Sequence, residues 1–285
     1  MSGKSMFDKL MDAITTIGEY CTKSGQPDTS LEHFYKTEFY NEGWMLKLML
    51  ARLLENDLEE GGLDVDINNI RSAAKRGWMS EGRLSAAFTH EQCTHADAVL
   101  GDVEVSTTSQ WGVELKKGAE QFVVVEAKLG SKLSKGVTNS KEFNQAARNV
   151  ACMMLALHKL SGDISAKPPA CFYVIMPECD ENGNKDTQQK LDDAKKTIIT
   201  EKNKNHELHV SLLPHAQEIL AKVSVKALTW EEMFVKLNQD DEKTEKLWEF
   251  YNKSLEANGL RKKSSEDAQS ICEFLNNRKN TSEAH

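Results

Sequence analysis

The chain has 285 residues, 39% of them hydrophobic and 28% charged, with a net charge of −8. This composition supports a sizeable apolar core and argues against a protein that coats nucleic acid by bulk charge. No apolar run approaches the roughly 20 residues that cross a bilayer, so no membrane partner is expected.

The first ten residues carry no apolar signal segment, and the six cysteines form no CxxC pair. A cytoplasmic protein with reduced, buried thiols is expected, without a zinc or thioredoxin-like motif. Residues 4–20 read as a short amphipathic helix, and 22–30, with Gly25 and Pro27, as a loop. A stronger helix is predicted over 34–57, where Leu46, Met49, Leu50, Leu53 and Leu54 have helical spacing. Three strands follow, over 84–88, 96–105 and 122–127, with Gly101-Asp102 marking a bend in the second. A helix is predicted over 140–160 and a buried strand over 170–176, behind Pro168-Pro169. A charged helix over 186–203, a strand over 209–213 and an alternating strand over 223–228 come next. Thr229 is placed to cap a helix from Trp230, with Glu232 at the capping-box position. The remainder, 240–277, reads as helical and broken at Asn258-Gly259. Three segments are expected: an N-terminal helical piece (1–33), a core (34–239) and a helical C-terminal extension (240–285). The fold class is α/β, a central mixed β-sheet flanked by helices.

The chemistry concentrates in Phe122-Val-Val-Val-Glu126-Ala-Lys128. Residues two apart on a strand share a face, so Glu126 and Lys128 project together from the end of a buried strand. A carboxylate and an ammonium there need a reason, because unpaired buried charge is costly. One reason is a magnesium site, with the Glu126 side chain and the Ala127 carbonyl as oxygen ligands and Lys128 beside a metal-bound water. The other is a salt bridge at a strand end. Glu114-Leu115-Lys116 repeats the spacing without the apolar strand before it and is read as a chance match. Asp97 opens an apolar strand and can converge with Glu126 if the two strands pair; the alternative puts it in a turn. Glu42 continues the inward stripe of its helix, with Glu38 one turn back as the alternative. Between Glu114 and Arg148, seven cations face four anions, a local +3. Lys132, Lys135, Lys141 and Arg148 are the candidate phosphate contacts. On the predicted helix, Lys141, Gln145, Arg148 and Asn149 form a polar ridge opposite Phe143, Ala147, Val150 and Met154.

Taken together, Glu42, Asp97, Glu126-Ala-Lys128 and a following helix with Gln145 resemble the PD-(D/E)xK superfamily, the restriction-endonuclease-like fold. The segments Glu126-Ala-Lys-Leu-Gly-Ser-Lys-Leu-Ser-Lys-Gly-Val and Asn144-Gln-Ala-Ala-Arg-Asn are also similar to a group of bacterial proteins of this fold. The resemblance covers roughly half of the chain. It implies a catalytic set of Glu42, Asp97, Glu126, Lys128 and Gln145, using Mg2+ or Mn2+ to hydrolyse phosphodiester bonds. DNA is the implied substrate, RNA the alternative, and a homodimer is compatible with it. Ala96 stands where the family name has proline, and the span from Asp97 to Glu126 calls for an extended hairpin or insertion over 110–118. The competing reading is a non-catalytic binding or scaffold protein that keeps the fold. No P-loop or nucleophile elbow is present to indicate another enzyme class.

Overall fold

The computed structural model describes residues 4–23, 40–55, 65–88, 93–106, 112–130, 133, 143–160, 162–178, 183–200, 208–237 and 241–260. The chain divides into two compact units, one of 1–64 with 231–285 and one of 65–230. This division differs from the expected segments: residues 34–64, with the Glu42 helix, group with the N- and C-terminal helices.

The helical unit contains α1 (Met6–Lys23), α2 (Glu42–Glu55) and α8 (Glu242–Ala257). The apolar stripe of α2 buries Met45, Leu46, Met49, Leu50 and Leu53, and α8 buries Leu247, Trp248, Tyr251 and Leu255. The Trp248 ring meets Phe234, on the short helix α7 (Trp230–Val235), edge-on with centroids 4.8 Å apart. Lys243 reaches Glu55 at 3.0 Å and Asp8 at 3.2 Å, so one ammonium ties α8 to both α1 and α2. The expected break is present: α8 ends at Asn258, and Gly259 takes a positive φ of 72°. The rest of the expected C-terminal helix, 261–277, lies outside the described residues.

The second unit is α/β. Its mixed sheet has five strands in the order β1-β2-β5-β6-β7. These are β1 (Trp78–Ser85), β2 (Cys93–Gly101), β5 (Phe122–Ala127), β6 (Ala170–Met176) and β7 (Val223–Thr229). The pairs β1–β2 and β2–β5 are antiparallel, while β5–β6 and β6–β7 are parallel. Parallel neighbours need long crossovers. Here α4 (Gln145–Lys159) joins β5 to β6, and α5 (Gly183–Ile198) and α6 (Ala216–Ala221) lie between β6 and β7. Phe122, Val124, Phe172 and Val174 pack with α4, α5 and α6 in the main core. Alternate residues turn to the other face, where the Tyr173 hydroxyl donates to Asp66 at 2.9 Å and accepts from Asn69 at 3.0 Å, both on α3 (Val65–Arg76). Strand β5 is therefore buried along its whole length, which explains its unbroken apolar run.

The long Asp97–Glu126 span contains the expected hairpin, a two-stranded sheet of β3 (Val103–Val105) and β4 (Val113–Leu115). The chance match Glu114-Leu115-Lys116 falls on it, and Glu114 accepts from the Ser106 hydroxyl at 2.6 Å. The turn into the hairpin is built on Gly101 and Asp102. Gly101 has φ +113°, and a Cβ there would lie 2.1 Å from the Gln121 carbonyl oxygen. Asp102 accepts from the Glu120 amide at 2.9 Å, the Gln121 amide at 3.2 Å and Arg76 at 2.9 Å.

Strand β7 forms one edge of the sheet, and α5 covers its open hydrogen-bonding groups. Gln188 accepts from the Ala227 amide at 2.8 Å and donates to the Val225 carbonyl at 3.0 Å. Lys195 donates to the Val223 carbonyl.

Three expectations need correction. The strand expected over 84–88 is β1, which begins six residues earlier, at Trp78. The segment expected as a strand over 209–213 is a 3-10 helix, Val210–His215, started by the His209 side chain accepting from the Ser211 amide. Helix α3 has no counterpart among the expected elements.

Candidate functional site

The end of β5, the middle of β2 and one helix start build the site: β2 begins at Cys93, so Asp97 is its fifth residue and does not open the strand as expected. Ala98 pairs with Val125 in the antiparallel β2–β5 ladder, so continuing that register sets Asp97 opposite Glu126. Opposed residues of an antiparallel pair project from the same face. At this point a side chain takes over from the ladder: Asp97 Oδ2 accepts from the Ala127 amide at 2.7 Å. On the other side of β5, the Lys128 amide donates to the Ile175 carbonyl at 2.8 Å. The Lys128 carbonyl accepts from Trp230 Nε1 at 3.0 Å. The backbone carrying Glu126-Ala127-Lys128 is thus held on both edges.

Glu126 is 2% exposed and Lys128 8% exposed. Lys128 Nζ donates to Glu126 Oε1 at 2.6 Å. The N-terminus of α4 adds two amides. Asn144 caps the helix by accepting from the Ala147 amide at 2.9 Å, which sets where the first turn points. Gln145 then donates to Glu126 Oε1, and Asn149, one turn on, donates to Glu126 Oε2 at 3.4 Å. Burial above all, then the charge of Asp97, pushes the Glu126 carboxyl up to about 7, against the pull of Lys128. A divalent cation bound between the two carboxylates would offset their repulsion and favour the ionised form of both.

Of the sequence-predicted residues, Asp97, Glu126, Lys128 and Gln145 come together, with the Ala127 backbone among them. Glu42 is the first residue of α2, in the helical unit. Arg148 is partly buried on α4, and Lys132, Lys135 and Lys141 lie outside the described residues. His95 is exposed and faces the Cys93 sulfur at 3.7 Å. Asn149 corrects the expected polar ridge: it is 0% exposed and belongs to the site. Its signal is the i, i+4 spacing from Gln145, which puts both on one side of α4.

Among the described residues no three His, Cys, Asp or Glu side chains cluster to hold a metal. The oxygens that fit magnesium or manganese are the Asp97 and Glu126 carboxylates, with the Ala127 carbonyl as the candidate third. All are hard donors of the kind these cations take, with water completing the shell. Also among the described residues, no helix is long and apolar enough to cross a membrane. Comparison with protein-family models, curated proteins and solved structures finds no match.

Proposed function

We propose that the sheet-bearing unit is a restriction-endonuclease-like core of a metal-dependent nuclease, hydrolysing phosphodiester bonds in DNA, with RNA as the alternative substrate. The observation that carries this reading is the meeting of buried Glu126 and Lys128, at the end of β5, with half-buried Asp97 on β2 and Gln145 at the start of α4. A buried ion pair is a poor source of stability, because desolvation offsets most of its attraction. A second carboxylate beside it makes the arrangement costlier still, unless the charges act on something bound.

Mg2+ or Mn2+, when bound, supplies a water of lowered pKa and stabilises charge developing on the phosphate. The protein's own groups have separable roles. Asp97 and Glu126 present the anionic oxygens, and the Ala127 amide fixes how Asp97 is turned. Lys128, anchored through both its amide and its carbonyl, holds a positive charge at the carboxylates, where it can align a water and bear on a phosphoryl oxygen. Gln145 orients Glu126 from α4. Phosphate contacts from Lys132, Lys135, Lys141 and Arg148 belong to the same proposal.

The test is incubation of the purified chain with linear DNA, circular DNA and RNA, each with Mg2+ or Mn2+ and with chelator. Cation-dependent cleavage that is lost in Asp97→Ala and Glu126→Ala is the expected result. Cleavage that persists in both variants would place the activity elsewhere. One observation favours a second reading, a binding protein that keeps this fold: three N–H donors already engage the two Glu126 oxygens. Absence of cation binding and of cleavage would move that reading to first place.

A further inference from the structure

Asn149 contributes more to this site than a donor to Glu126. The Asn149 side chain is wholly buried, and its two ends meet different circumstances. The nitrogen lies 3.4 Å from Glu126 Oε2. The amide therefore presents its nitrogen, as donor, to Glu126. That turns the oxygen elsewhere, and Asn149 Oδ1 is buried with no hydrogen-bond partner among the described residues. A buried acceptor left without a donor is destabilising, and such groups are rare in folded proteins. Lys128 and Gln145 serve the other Glu126 oxygen, so the bond to Oε2 accounts for the Asn149 nitrogen but not for its orphaned oxygen. Leucine has the same branched outline, with bulkier ends, and no orphaned oxygen.

We infer that Asn149 Oδ1 accepts a hydrogen bond from water carried by the divalent cation, which makes Asn149 a positioning residue of the cation site. The inference rests on the nuclease reading in requiring that Asp97 and Glu126 hold a cation. Magnesium and manganese retain several waters when few protein ligands reach them, and each retained water has protons to place. Asn149 Oδ1 is a neutral acceptor on a side chain that a helix holds against one of the two carboxylates. Groups that hydrogen-bond around a metal commonly change its affinity by about 10–100-fold.

The experiment is a Mn2+ titration of the full chain, followed by electron paramagnetic resonance, with melting temperatures taken in chelator and in Mn2+. Asn149→Leu removes the acceptor while keeping the branched outline, and Asn149→Asp keeps it. Asn149→Leu is expected to bind Mn2+ about tenfold more weakly or worse. It should melt close to wild type in chelator and gain less on adding Mn2+. Asn149→Asp is expected to bind Mn2+ at least as tightly as wild type. If Asn149→Leu does not fold, Asn149→Ala is judged by the same criteria. Mn2+ affinity within twofold of wild type in the acceptor-free variant would overturn the inference and leave the nuclease reading standing. So would weakened binding by Asn149→Asp. A wild-type chain that binds no Mn2+ would overturn both.

Discussion

Asp97 and Glu126 face each other across adjacent antiparallel strands, and Asp97 takes the backbone amide of the residue just beyond Glu126 at 2.7 Å. This amide sets the direction of one carboxylate from the strand that carries the other. Their separation therefore follows from the sheet register rather than from loop conformation, which suits a site that must keep two negative charges close.

Lys128 is the sharpest probe of the proposed chemistry. An ammonium is not a metal ligand, so Lys128→Ala is expected to keep cation affinity within a few fold of wild type. Cleavage should fall by about 100-fold or more, the scale for losing one charge-stabilising donor. Rates and Mn2+ titrations on the same protein preparation check this. Equal cleavage by variant and wild type would rule out the role given to Lys128.

Much of this site is legible in the sequence because its strands are buried on both faces. Such strands read as continuous apolar runs, so β6 is located to the residue and Glu126 and Lys128 stand out at the end of β5. Helix α3 is not legible. Its buried side is Ile67, Ile70, Ala73 and Ala74, interleaved with Asp66, Asn68, Asn69 and Ser72, which carries little hydrophobic signal. Those polar groups are explained by the sheet: Asp66 and Asn69 meet the Tyr173 hydroxyl, and Gln121 donates to Asn69 Oδ1 at 2.6 Å and to Ser72 Oγ at 2.8 Å. The start of β1 is hidden because Ser80-Glu81-Gly82, between Trp78-Met79 and Leu84, has neither apolar alternation nor regular backbone, with Glu81 at φ 54°. The i, i+4 spacing aligns Asn149 with Gln145, but its partner Glu126 is 23 residues away in sequence, and no local pattern reports that pairing.

Asp102 should make stability fall in acid. Burial raises its pKa, but the Glu120 amide, Arg76 and the Gln121 amide outweigh burial and hold the carboxyl below its ordinary 3.8. A lowered folded-state value means that the stabilisation is complete above the unfolded value. It is lost as pH falls through the folded one. Asp102→Asn should therefore be less stable than wild type at pH 7, with the gap closing below pH 3.8. Urea unfolding of both proteins at several pH values measures this. A gap that widens in acid would contradict the assignment.

Gly101 is held to glycine by both conformation and space. Its φ is +113°, and an alanine methyl would sit 2.1 Å from the Gln121 carbonyl oxygen, so Gly101→Ala must displace backbone where β2 turns into β3. A loss of about 2 kcal/mol or more is expected. Chemical denaturation gives the value, and a loss under about 0.5 kcal/mol, the range of an ordinary surface change, would show that the turn relaxes freely.

Trp248 anchors the helical unit. It is 2% exposed and meets Phe234 edge-on. Trp248→Ala should cost about 3–5 kcal/mol, the usual range for emptying a large aromatic site. Trp248→Phe should recover much of this. Equal stability of the alanine and phenylalanine variants would show that ring packing is not what holds α8.

The Gln188 carboxamide meets β7 as a neighbouring peptide group would, with its oxygen on the Ala227 amide and its nitrogen on the Val225 carbonyl. An uncovered edge strand is a template onto which another chain can add, the first step of uncontrolled sheet growth. One side chain from α5, helped by Lys195 at the Val223 carbonyl, occupies that template from within the same molecule. Helix α5, part of the crossover between β6 and β7, thus also acts as a stopper: a strand arriving at this edge would meet the Val223 and Val225 carbonyls and the Ala227 amide already engaged.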